Sequence, residues 1–213
     1  MRTAEEIRER WLMQFNHFVV VIGMVDEFFI RYLLSQLAYF DHRESELGSH
    51  FNLLKARRAV GATGVHGGFV GQRIYSHGSE VGSVYAEIAY AMGYLDADRI
   101  LGKWEFEALR SGVRAKCRSR DYTIEDVFKW WGPPSWRSGE NPYYPCTLLY
   151  LPADPKRAAV AFDFLGAELE EREENGVAKD EPIQMLRNVR IRSATFSRDF
   201  TFTPLGKQVA GRK

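Results

Sequence analysis

Cysteine is scarce in this chain. Cys117 and Cys146 are the only two in 213 residues, and neither belongs to a short paired spacing. That excludes a disulfide framework, a zinc ribbon and a CxxC redox site, and it predicts two reduced thiols. Net charge is equally small, since 29 basic residues against 28 acidic ones leave +1. No global field draws the protein to nucleic acid or anionic lipid, so any polyanion contact must use a local patch. Uncharged apolar runs of membrane-spanning length are missing as well. The most apolar stretch, residues 17–40, is interrupted by Asp26, Glu27 and Arg31. Each is costly near a bilayer centre, so the stretch predicts a core helix and no membrane span. The opening Met1-Arg2-Thr3-Ala4-Glu5-Glu6 is acidic where a targeting peptide is basic and poor in acids. The expected location is the cytoplasm.

Familiar catalytic signatures are missing too. No Gly-Lys-Ser/Thr ending closes a P-loop, no HExxH pairs histidines on a helix, and no GxSxG marks a nucleophile elbow. The expectation is a non-enzymatic protein with no cofactor and no metal.

What is present is an ordinary globular composition: 45% hydrophobic residues beside 27% charged are enough for a core without staples. Thr3 with Glu6 forms a capping-box pattern that opens a helix. From Trp11 the apolar residues Leu12, Phe15, Val19, Ile22, Val25, Phe29, Leu33 and Leu37 recur at three and four, which predicts one long helix in which Gly23 marks either a bend or a close helix crossing. Further helices are expected over residues 49–60, from Val81 to Gly93, over 98–117 and over 123–131. Residues 61–82, with repeated glycines, read as an irregular loop.

Beyond Gly132-Pro133-Pro134 the pattern changes. Residues 132–145 mix Pro, Gly and Ser with Trp136, Tyr143 and Tyr144, which suits an aromatic linker. Cys146–Leu151 reads as a buried strand. Asp154-Pro155 can start a helix whose face carries Ala158, Phe162, Leu165 and Leu169. Val189–Arg192 and Phe200–Thr203 alternate as a hairpin, and residues 205–210 form a last helical turn. The fold class expected is therefore α+β. A helical N-terminal bundle (residues 1–131) is followed by the linker (132–145) and a small C-terminal α/β layer (146–213) with a strand, a helix and a β-hairpin.

Three groups of residues carry candidate chemistry. Arg187, Arg190, Arg192 and Arg198 surround the hairpin, with Arg190 and Arg192 on one strand face, where they could neutralise phosphates of a nucleic acid. Trp130, Trp131, Trp136, Tyr143 and Tyr144 are of the types enriched at protein interfaces, so a protein partner or a homo-oligomer is expected. His66, Arg73 and His77 flank the glycine loop and could meet a small anion with help from backbone amides. Cys117 lies among Arg114, Lys116, Arg118 and Arg120, charges that would lower the pKa of an exposed thiol, although a core cysteine is the simpler reading. The leading expectation is a binding or assembly protein that also touches nucleic acid through the basic hairpin. The alternative is an enzyme or a small-anion- or metal-binding domain that uses the Gly/His-rich loop at residues 61–82.

Overall fold

The structure is a computed structural model that describes residues 3–21, 27–72, 78–139, 144–166 and 183–211. Thr3 opens helix α1 (Ala4–Val20) as its pattern predicts: its hydroxyl accepts the Glu6 N–H at 3.2 Å, and the Glu6 carboxylate accepts the Thr3 N–H at 2.8 Å. The apolar periodicity then continues in a second helix, α2 (Glu27–Phe40), rather than in one rod. A single helix over about 37 residues would be roughly 55 Å long, more than a small domain can cover on its apolar side. The two helices instead lie antiparallel. Phe18 meets Phe29 at 5.1 Å, while at the far end Trp11 meets Phe40 at 6.4 Å and Arg8 pairs with Asp41 at 2.6 Å. Gly23, read as a bend or a close crossing, lies outside the described residues.

Helices α3 (Glu44–Ala56), α4 (Val65–Gly71) and α5 (Gly78–Ala91) follow. The stretch read as an irregular loop therefore holds a seven-residue helix. Its glycines are there for closeness, not for disorder. A Cβ on Gly68 would lie 2.0 Å from the Ala59 carbonyl oxygen, so the backbones touch where only hydrogen fits. Helix α6 (Lys103–Ser119) and helix α7 (Ile124–Trp131) complete the first half, α7 with a capping box between Thr123 and Asp126.

Five strands make one antiparallel meander in chain order: β1 (Trp136–Ser138), β2 (Cys146–Tyr150), β3 (Val160–Leu165), β4 (Met185–Ile191) and β5 (Phe200–Phe202). Helix α8 (Pro204–Val209) closes the described chain, capped by Thr203. The α+β class holds, as do the strand at Cys146 and the hairpin of β4 and β5. Two local expectations are corrected. The stretch read as linker supplies β1, and the helix expected after Pro155 is instead strand β3, preceded by a short turn in which Asp154 accepts the Lys156 N–H at 3.0 Å. The reason is burial on both faces. Val160, Phe162 and Phe164 point to one core and Ala159 and Ala161 to the other, so the run is apolar but for Asp163 and its period is hidden.

The sheet is the middle layer of three. Helices α1 and α5 cover one face, with α2 packed on both, over a core that takes Trp136, Leu149 and Phe202 from the strands. Helices α6 and α7 cover the other over Leu148, Tyr150, Phe162, Val189 and Ile191. A bulge in β4, where the register with β3 shifts between Asp163 and Phe164, keeps both Leu186 and Val189 on the α6 side although they are three residues apart. The same bulge turns Arg187, Asn188 and Arg190 toward α5. Among the described residues no helix is long and apolar enough to cross a membrane.

Candidate functional site

The glycine loop does hold an anion, and the anion belongs to the chain. Glu27, the first residue of α2, places its carboxylate at the start of α4. Oε1 accepts the Val65 N–H at 2.6 Å and the Tyr85 hydroxyl at 2.6 Å, and Oε2 accepts the His66 N–H at 2.9 Å. A Cβ on Gly64, whose φ is +84°, would overlap this carboxylate at 2.3 Å. The glycine-rich sequence is thus explained by an internal cap. His66 is exposed at this place, while Arg73 and His77 lie outside the described residues. No group of three metal-ligating side chains occurs among the described residues.

The hairpin arginines take a different position from the one expected of a nucleic-acid ribbon. Arg187 and Arg190 are 3% and 7% exposed and lie between the sheet and α5. Arg190 grips Asp163 with two nitrogens, Nε to Oδ2 at 2.7 Å and Nη2 to Oδ1 at 3.1 Å, and Nη2 also donates to the Ser83 hydroxyl at 2.5 Å. Asp163 further accepts from Asn188 at 2.6 Å and from Thr147 at 3.0 Å. Arg187 reaches Glu80 of α5 at 2.5 Å. Arg192 shares the strand face of Arg190, as alternation predicts, and pairs with Glu87 at 2.8 Å. Only Arg198 is exposed. Helix α5 and strand β3 supply the carboxylates for Arg187, Arg190 and Arg192. Sequence reading missed Glu80, Glu87 and Asp163. The available signal was a lone aspartate inside an otherwise apolar strand, a charge that cannot be buried without a partner.

The expected interface aromatics are also dispersed. Trp136 is buried in the α5-side core, Tyr144 is 61% exposed, and Tyr143 lies outside the described residues. Trp130 and Trp131 remain together, half-buried on α7, and they meet the basic end of α6. Lys116 Nζ sits 4.1 Å from the Trp130 ring centre and 5.7 Å from that of Trp131. Arg120 lies 4.8 Å from Tyr122 and 5.8 Å from Trp130, and Tyr122 packs edge-on against Trp130 at 4.7 Å. Arg110, Lys116, Arg118 and Arg120 are all exposed, and none of these four is ion-paired with a carboxylate among the described residues. Lys116 and Arg118 also complement the negative end of the α6 dipole. Farther along α6, Trp104 is 83% exposed.

Cys117 lies beneath this cationic cluster yet is not activated by it. Burial pushes its thiol up to about 12, the nearby Arg118 only partly offsets that, and Sγ donates to the Thr201 carbonyl at 3.0 Å. Cys146 is likewise pushed up to about 12 by burial. Neither thiol should be alkylated by iodoacetamide in the folded protein at mildly alkaline pH, whereas both should be labelled after unfolding in guanidinium, as counted by mass spectrometry. The folded pKa values lie above the ordinary 9.0, so the stability these thiols contribute is lost as pH rises from 9.0 toward about 12.

No family model, curated protein or solved structure matches the chain.

Proposed function

We propose that this is a non-enzymatic nucleic-acid-binding protein whose contact surface is the α6–α7 face rather than the hairpin. The observation that carries the reading is the set of exposed cations Lys116, Arg118 and Arg120 without carboxylate partners, two of them lying over the rings of Tyr122, Trp130 and Trp131. Exposed basic side chains neutralise phosphates, and adjacent aromatic rings offer stacking surface for bases, the combination that binds single strands with little sequence preference. The notch between the two helices is only about 10 Å³, roughly the space of one water, so a base would lie on the tryptophans and not enter. The hairpin contributes through Arg198 at most, because Arg187 and Arg190 are engaged beneath α5. Two buried thiols without a disulfide fit the cytoplasmic setting we propose.

Fluorescence anisotropy with a labelled single-stranded oligonucleotide tests this. The double variant Lys116→Ala/Arg120→Ala should bind more weakly and show a salt slope shallower by about 1.4, the value for two lost single-strand phosphate contacts. Trp131→Ala should lose roughly fivefold or more through stacking. Arg198→Ala should bind like the wild type. Affinity that ignores salt, or is lost with Arg198→Ala and kept in the double variant, would sink the assignment. A protein set recovered from cell extract after nuclease treatment, with no oligonucleotide binding, would point to a protein partner instead.

A further inference from the structure

A second feature is independent of the α6–α7 face. Between α3, α5 and the sheet lies a cavity of about 30 Å³, roughly room for one or two waters. Three arginines line it: Arg57, the C-cap of α3, with Arg190 and Arg192 of the β4 edge. Its walls are otherwise mostly apolar, with Leu54, Val84 and Phe196 among them. The charges balance on paper, since Arg57 pairs with Asp199, Arg190 with Asp163 and Arg192 with Glu87.

The hydrogen bonds do not balance. A guanidinium carries N–H donors on all three nitrogens. Arg57 uses Nε on the Ser193 carbonyl and Nη2 on Asp199. Arg190 uses Nε and Nη2 on Asp163 and Ser83. Arg192 uses Nη2 on Glu87. Nη1 of each, and Nε of Arg192, make no hydrogen bond among the described residues. On the acceptor side, Asp199 takes the Ser193 N–H and hydroxyl besides Arg57, and Glu87 takes the Ala159 N–H besides Arg192. The cavity therefore holds a surplus of cationic donors, two of its arginines only 7% exposed. A ligand that fits a donor surplus offers acceptors alone. We propose that one or two oxygens of a small oxyanion, a phosphate or carboxylate group, enter this cavity toward the spare N–H groups of Arg57, Arg190 and Arg192, while the rest of the group stays at its mouth. Planar N–H forks suit such groups, and low solvent access strengthens each contact. Arg192, with Glu87 at the half-exposed mouth, forms the entrance.

The test uses inorganic phosphate and acetate as probes, each against chloride at equal ionic strength. A bound anion should raise the melting temperature of the full chain by about 2–4 °C at tens of millimolar. It should also move the Nε–H NMR signals of Arg57 and Arg190 to saturation. A response to phosphate alone assigns a phosphate-type ligand, and a response to acetate alone a carboxylate. Arg192→Gln should remove the response, and Glu87→Gln, which takes a competing carboxylate from the mouth, should strengthen it. Lys116→Ala should leave it unchanged, which separates this site from the α6–α7 face. The proposal is overturned by silence toward both anions, by a response that survives Arg192→Gln, or by one that disappears with Lys116→Ala. Should Arg192→Gln fail to fold, Glu87→Gln decides, and unchanged or weaker binding there overturns the proposal.

Discussion

Asp163→Ala should destabilise the protein by about 3–5 kcal/mol, the range for removing one partner of a buried ion pair. At the usual sensitivity of a chain this size, that is a fall in melting temperature of roughly 6–20 °C. The size follows from what is left behind. Asp163 is fully buried in β3 and accepts from Arg190, Asn188 and Thr147. Alanine strands a guanidinium that is 7% exposed together with two uncharged donors. Removing both charges is a different experiment. Asp163→Leu with Arg190→Met replaces the pair by apolar groups of similar size, and most of the loss should be recovered in urea unfolding. A double variant no more stable than Asp163→Ala would mean that the ion pair itself joins β3 to β4 and, through the Arg190 bond to Ser83, holds the sheet to α5. The pair also sets an acid limb. Burial alone would push the Asp163 carboxyl up, but the Arg190 guanidinium outweighs it and holds the carboxyl below its ordinary 3.8. A depressed folded pKa gives stability that is present above 3.8 and lost as pH falls through the folded value. In Asp163→Leu/Arg190→Met the loss on acidification below 3.8 should be smaller than in the wild type.

The elements that the sequence made legible are those whose signals are local. Thr3 with Glu6 and Thr123 with Asp126 mark helix starts because a side chain and a backbone N–H three residues away meet whatever the rest of the chain does. The hairpin of β4 and β5 is legible because alternation survives in Val189–Arg192 and Phe200–Thr203. Strand β3 is not, since a strand covered on both faces has no polar side to give it a period. The arginines of β4 were legible as a charged face, and their alternation placed Arg190 and Arg192 together, but whether that face meets solvent or a helix depends on α5, about a hundred residues away. The glycine loop shows the same limit. Its richness in glycine was visible, yet the reason is the Glu27 carboxylate and the Ala59 carbonyl, neither of which is close in sequence to all the glycines it touches. The Lys116–Trp130 cluster falls between these cases: the basic run and the tryptophan pair were each visible, and only the packing of α6 on α7 brings them together.

Gly206→Ala should be among the most damaging alanine substitutions at the described glycines, and Gly48→Ala should go the other way. A Cβ on Gly206, in α8, would lie 1.9 Å from the Arg187 carbonyl oxygen and 2.8 Å from its carbon. Both are backbone atoms of a central strand, and no rotamer change relieves the overlap. Either α8 lifts from β4 or β4 shifts at its bulge, where Arg187 holds Glu80 and where Thr203 donates its N–H and hydroxyl to the same carbonyl at 3.1 and 3.3 Å. Overpacking ordinarily costs about 1–3 kcal/mol, and backbone against backbone belongs at or above the top of that range. Gly68→Ala meets the Ala59 carbonyl at 2.0 Å and should behave similarly, with the added effect of moving α4 off the Glu27 cap. Gly48 lies within α3 with nothing inside 4 Å of its would-be Cβ. There alanine only reduces the freedom of the unfolded chain, and stability should rise by about 0.5–1 kcal/mol. Urea unfolding of the three variants separates close contact from mere composition. If Gly206→Ala and Gly48→Ala shift the midpoint in the same direction, α8 does not sit on the Arg187 carbonyl, and the end of the sheet would have to be redrawn.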